Sequence, residues 1–231
     1  MRQVVPDVYL IEGLRASNAY VLVSEEGLTL VDSGNPGEAA KIVSQLEEGG
    51  YTLSDLQTIV LTHCHADHTG SAAELARRSG ARVLAHRDEV PYIEKTEALP
   101  VNSFVRRLLD WVSDRVFRTA ACQIDKALED GDAVDVLGGL KVIHAPGHTP
   151  GNIALYGSDR RILFCGDTIF NGNPFSGRGG IGPPPRAFSL DPAQAEASAR
   201  ELAKLPAEVA CFGHGEPILE WAGERLREAL G

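Results

Sequence analysis

Residues 58–70 read TIVLTHCHADHTG, an apolar run that breaks into three histidines and an aspartate within six positions, His63 to His68. Thr58, Ile59, Val60 and Leu61 suit a strand, because β-branched and aliphatic side chains fit a pleated, half-buried surface. In extended backbone, residues two apart point the same way, so His63 and His65 project together while Asp67 and His68 fall where the chain turns back. A turn of this kind can serve two neighbouring cations. A lone loop histidine or aspartate is ordinarily solvated surface, but this density is a metal-ligand signature.

Outward from this turn the pattern is layered. Upstream, VVPDVYLI, NAYVLVS and LTLVDSG read as three strands, and a helix follows with Asn35 as cap, Glu38 three residues later and Gly49-Gly50 as stop. Downstream, a helix through Ala72, Leu75 and Ala76 to Gly80 leads into strand RVLAH (82–86), an alternation that implies a sheet covered by helices. Residues 133–166 are consecutive strands with hairpin signals at Gly138-Gly139 and Ser158-Asp159. Asp191-Pro192 opens another helix, VACFG (209–213) is a strand, and 217–229 reads as a closing helix. With 231 residues and 43% apolar composition, the chain is read as one domain over 1–231.

Three further strand ends carry the same residue types. His148 lies in APGHTPG after LKVIH, Asp167 in CGDT after RILF, and His214 in FGHGE after VACF. Loops at one edge of a rigid sheet are where catalytic groups collect, so a shared site is expected. Imidazole and carboxylate without thiolate suit zinc first, with iron and manganese as the alternatives, and an incomplete protein shell leaves room for water or substrate. Cys64, Cys165 and Cys211 sit beside these positions and read as small buried filler. His86 and His144 read as packing or hydrogen-bonding groups.

HxHxDH at 63–68, PGHTPG at 146–151, GDT at 166–168 and GHG at 213–215, in that order, resemble the metallo-β-lactamase-fold hydrolases over nearly the whole chain. The resemblance implies an α/β (α+β) fold, a four-layer αββα sandwich with metals between the sheet edges. It also implies that His63, His65 and His148 hold a first divalent cation, that Asp67, His68 and His214 hold a second, and that Asp167 bridges them. Asp32 in LVDSG matches a family position that supports the site from behind. Asp67 and Asp167 are the expected catalytic carboxylates, Asp67 orienting the hydroxide formed from water at the two metals.

The implied reaction is hydrolysis of an activated carbonyl: thioester, lactone or other ester, ahead of amide or β-lactam. Several departures from family patterns bear on substrate. Only 17 residues follow His214, where glyoxalase II relatives add a helical region, and Phe170 stands where acyl-homoserine lactonases carry a tyrosine. The alternatives are a mononuclear iron persulfide dioxygenase using His63, His148 and Asp167, and, lower, a metal-dependent nuclease. A formal charge of −10 works against nucleic acid and anionic lipid and favours a small-molecule substrate. No run of about 18 apolar residues suggests a membrane span, MRQVVPDVYLIEG lacks the apolar core of a signal peptide, and the four scattered cysteines suggest a reduced, cytoplasmic protein. No pattern assigns an oligomeric state.

Residues 87–125 stand outside the layers as a helical insert. Val101, Phe104, Val105, Leu108, Leu109, Val112 and Val116 follow helical spacing, with Arg106, Arg107, Arg115 and Arg118 nearby. This helix is expected either to pack on the core or, with Phe170, Phe175 and loop 171–186, to wall the metals and select the acyl group.

Overall fold

The computed structural model describes residues 1–100, 119–172 and 179–231. Strands β1 (Arg2–Val5), β2 (Val8–Leu10), β3 (Tyr20–Ser24), β4 (Gly27–Val31), β5 (Leu56–Leu61), β6 (Arg82–His86) and β7 (Lys126–Leu128) form one seven-stranded sheet in sequence order. A five-stranded sheet follows in the order β14-β11-β10-β9-β8, from β8 (Ala133–Val134), β9 (Leu140–His144), β10 (Ile153–Gly157), β11 (Ile162–Phe164) and β14 (Val209–Cys211). The short pair β12 (Phe170–Asn171) and β13 (Ile181–Gly182) stands apart.

Period-two alternation sorts the side chains into layers. Along β5, Val60 faces inward with Val8, Leu22 and Leu128 to meet Leu140, Leu155, Ile162 and Phe164 of the second sheet. Ile59 and Leu61 point to the opposite face, against Ile42 and Leu46 of α1 (Ala39–Glu48) and Ala72 and Leu75 of α3 (Ala72–Ser79), which follows the short α2 (Ala66–Thr69). On the outer face of the second sheet, Ala154, Leu163 and Ala210 pack on α5 (Pro192–Ala203) and α6 (Ala222–Leu230). The result is the expected four-layer αββα sandwich, with each buried Leu or Phe contributing roughly 1.5–3 kcal/mol.

Strand direction gathers the loops. β4, β5 and β6 are parallel, so Asp32, the His63–His68 turn and His86 leave the first sheet at one edge. β11 and β14 are parallel, and β9 runs with them because each is antiparallel to β10 or parallel to β11. The second sheet therefore delivers His148, Asp167 and His214 to its own matching edge.

Three sequence expectations are corrected. VVPDVYLI is two strands, because Pro6 offers no N–H and Asp7 takes φ 64°, turning the chain back into a hairpin. Helix α1 begins at Ala39, and Asn35 does not cap it; instead the buried Glu38 carboxylate accepts from Asn35 N at 2.8 Å and Arg15 N at 3.0 Å. The closing helix starts at Ala222, because Ile218 still bridges to Ala210 and Trp221 sits in the left-handed region at φ 57°. The cap at Asp191 is as expected, its carboxylate accepting from Ala193 N and Gln194 N.

Of the insert, the described part holds a 3₁₀ turn at Arg87–Glu89 and a short helix α4 at Val90–Ile93. The expected helix through Val101–Val116 and the loop position Phe175 lie outside the described residues. Among the described residues no helix is long and apolar enough to cross a membrane.

Candidate metal centre

All seven residues singled out from the sequence meet at the shared edge of the two sheets, in two adjoining groups. His63, His65, His148 and Asp167 offer one set of ligand atoms, and Asp67, His68 and His214 another. In the first, His65 Nδ1 lies 3.1 Å from His63 Nε2 and 2.9 Å from His148 Nε2, and Asp167 Oδ2 lies 3.3 Å from His148 Nε2 and 3.8 Å from His63 Nε2. A tetrahedron with bonds of about 2.0–2.2 Å has edges of roughly 3.3–3.6 Å, so four such atoms fit one zinc-sized ion. In the second, Asp67 Oδ2 lies 3.8 Å from His68 Nε2 and 3.6 Å from His214 Nε2.

Asp167 faces both groups. Its Oδ1 is 3.3 Å from His68 Nε2, while Oδ2 is 3.2 Å from His214 Nε2 and also faces the first set. His68 Nε2 and Asp167 Oδ1 are buried polar atoms without a hydrogen-bond partner among the described residues. Such atoms are costly unless something else satisfies them, and a shared pair of cations would. Gly213 lines this space: a Cβ there would overlap Asp167 Oδ1 and approach His68 Cε1 to 2.9 Å.

The imidazoles are aimed from behind. Asp32, held at φ 60° after β4, accepts from His68 Nδ1 at 2.8 Å, from Thr62 N at 2.8 Å and from Thr62 Oγ1 at 2.8 Å. Because the Thr62 hydroxyl commits its proton to Asp32, it accepts from His63 Nδ1 at 3.1 Å. His214 Nδ1 donates to Ala16 O at 3.1 Å. Each arrangement puts Nδ1 against a partner behind the ring and aims Nε2 at the metal space, the usual way a ligating imidazole is oriented.

Charge follows the same plan. Burial opposes a charged His68, but Asp167, Asp32 and Asp67 overcome it and push the imidazole up to about 10. Burial likewise opposes ionised Asp167, yet His214, His68 and His63 hold it well below the usual carboxylate range. His63 is pushed well down by burial first and by the neighbouring His68 second. The carboxylates thus favour positive charge at His68 and His214.

His86 and His144 do not join the centre. Their rings stack at 4.1 Å and 12°, and His144 Nε2 donates to Pro150 O at 2.9 Å. With Asp88 they form a third His/Asp group, but the two rings stack nearly parallel, with His86 Nδ1 accepting from Asp88 N and His144 Nε2 bonded to Pro150 O, a poor arrangement for converging on one ion. Cys165 and Cys211 are buried and Cys64 is half-buried.

Sequence reasoning missed Thr62 and Glu89. Thr62 carries no signal beyond its place before the motif. Glu89, fully buried, accepts from Cys64 N at 2.7 Å and Gly151 N at 2.6 Å, contacts that no local pattern records.

The family model of the metallo-beta-lactamase superfamily matches residues 13–214. The chain is 30% identical over 212 residues to the probable metallo-hydrolase YflN of Bacillus subtilis, covering 87% of this chain and 79% of that one. It is 36% identical over 181 residues to a hydroxyacylglutathione hydrolase of Pseudomonas paraeruginosa, covering 77% of this chain and 54% of the relative. The chain thus spans about half the length of the hydroxyacylglutathione hydrolases it matches. A metallo-beta-lactamase family protein from Thermus thermophilus superposes with a TM-score of 0.74 at 27% identity over 98% of this chain and 79% of that one. A subclass B3 metallo-beta-lactamase of Bradyrhizobium japonicum shares the fold, with a TM-score of 0.72 at 22% identity over 98% of this chain and 88% of that one. Fold, motif order and these likenesses together make the chain a member of the metallo-β-lactamase superfamily.

Proposed function

We propose that the chain is a dinuclear metallo-hydrolase of a small molecule with an activated carbonyl, a thioester ahead of lactones and other esters. The observation that carries this reading is Asp167, whose two oxygens face two separate histidine groups. His63, His65 and His148 would hold one ion, Asp67, His68 and His214 the other, with zinc the metal best suited to this donor set. The second group also favours this reading over a mononuclear iron dioxygenase. The relatives named as hydroxyacylglutathione hydrolases support the thioester.

When bound, the two cations would supply Lewis acidity, acidifying a water toward about neutral pH and polarising the scissile carbonyl. Asp67 keeps 28% of its side chain exposed against 3% for Asp167. It is therefore the carboxylate able to take the proton of the attacking water and release it to solvent. Ser17 Oγ donates to Asp67 O, fixing the backbone that presents this carboxylate. Phe170 lies 4.6 Å from the His214 ring and 6.4 Å from His148, an apolar side chain packed beside both imidazoles.

Zinc-reconstituted protein should hold close to two ions and hydrolyse thioesters with the highest kcat/KM in a panel of thioesters, lactones, phosphodiesters and β-lactams. Turnover confined to phosphodiesters, or full activity with a single ion, would overturn the assignment.

A further inference from the structure

We infer that Glu89 is a positioning residue that fixes the first cation's pocket by tying the turn bearing His63 and His65 to the turn bearing His148. The inference rests on the dinuclear reading above. Cys64, whose N–H donates to Glu89 Oε2 at 2.7 Å, stands between His63 and His65. Gly151, whose N–H donates to Oε1 at 2.6 Å, lies three residues beyond His148. One carboxylate therefore clasps two loops from opposite sheets, and both loops supply the same ion.

Glu89 itself comes from a third segment. It ends the 3₁₀ turn after β6, and His86, at the start of that turn, accepts from Asp88 N through its side chain. The carboxylate has no solvent exposure, so its two backbone donors have no water to fall back on. Gly151 is fitted to it: a Cβ there would lie 2.9 Å from Glu89 Cγ and 2.8 Å from His86 Nδ1. The clasp does not reach the second group. Asp67 and His68 lie in α2, and His214 is steadied by Ala16 O.

A neutral amide has one acceptor oxygen, so Glu89→Gln must set its NH₂ against either Cys64 N–H or Gly151 N–H. Gly151→Ala disturbs the same clasp from the other side and keeps the carboxylate. Groups that orient metal ligands typically govern affinity by about 10- to 100-fold. The test titrates chelator-stripped, full-length protein with Co²⁺ alone, reading visible absorption bands assigned to each ion with His148→Ala and His214→Ala references.

The expected result is two ions in the unaltered protein, and in Glu89→Gln and Gly151→Ala a first-ion affinity weaker by about 10- to 100-fold, with the second within about threefold. The first-ion band should also shift, a change that a general loss of stability would not produce. Unaltered first-ion affinity in both variants overturns the inference and leaves the dinuclear reading intact. Equal weakening of both ions in both variants also overturns it, making Glu89 a structural residue only. Fewer than two ions in the unaltered protein overturns the dinuclear reading, and the inference with it.

Discussion

Replacing Asp32 with asparagine tests whether the side chains behind the centre set its metal affinity. Oδ2 accepts from His68 Nδ1 at 2.8 Å and Oδ1 from Thr62 N at 2.8 Å, so both oxygens face N–H donors. Asparagine has one acceptor. Either its NH₂ opposes Thr62 N–H, or it opposes His68 and drives that ring to the tautomer whose Nε2 carries the proton, closing it to metal. A hydrogen bond to a charged group is worth about 1.5–3 kcal/mol, which at about 1.4 kcal/mol per tenfold is a loss of roughly 10- to 150-fold in second-ion affinity. His63 is one bond further away, through the Thr62 hydroxyl, and its ion should be affected less. Thr62→Val should invert the pattern, stranding the buried His63 Nδ1–H and weakening the first ion more. Competition with a fluorescent zinc chelator measures both. Wild-type affinity at both sites in Asp32→Asn would refute the reasoning.

Asp167→Ala should lower metal content from about two ions to below one after gel filtration and abolish turnover together, while Cys64→Ala should do neither; retained turnover in the Asp167 variant would sink the bridging role. Burial, with Asp125 beside it, pushes the Cys122 thiol up to about 11, and burial also raises Cys165 and Cys211. At pH 8 a thiol at about 11 is roughly one-thousandth thiolate, so a thiol reagent should label Cys64 alone in the native protein, and rapid labelling of two or more thiols would contradict this. The same shifts bear on stability. Thiols raised in the folded state favour folding below their unfolded pKa of about 8.5 only in the sense that they stay neutral at no cost, and above it the folded state, unable to ionise them, loses ground to the unfolded chain. Thermal melting should therefore fall on the alkaline side above about pH 9, whereas a melting temperature flat to pH 11 would contradict it.

The parts of the fold that the sequence expresses are those written locally. Short apolar runs such as Thr58–Leu61, the Gly138-Gly139 hairpin and the Asp191-Pro192 start each carry their own geometry within a few residues. The candidate ligands were legible for the same reason, since each stands in a polar turn directly after an apolar strand. Other features depend on what lies across the molecule. Glu38 is shared: its carboxylate reaches back to the Asn35 N–H as a local pattern allows, but its other oxygen is taken by the Arg15 N–H from a distant loop. Ile218 delays the last helix because it finds Ala210. Glu89 looks like one more acid in RDEV, and only the packing of two sheets puts amides against both its oxygens.

Each candidate ion draws on both sheets, and the sheets are successive stretches of chain, β1–β7 ending at Leu128 and β8 beginning at Ala133. His63, His65, Asp67 and His68 belong to one stretch, and His148, Asp167 and His214 to the other. The centre is therefore a seam that laces the two halves of the polypeptide. A backbone cut between Leu128 and Ala133 would leave neither fragment with a full set of ligands for either ion. Reassembly of the fragments and uptake of metal would then be one linked equilibrium, each tightening the other by the same factor.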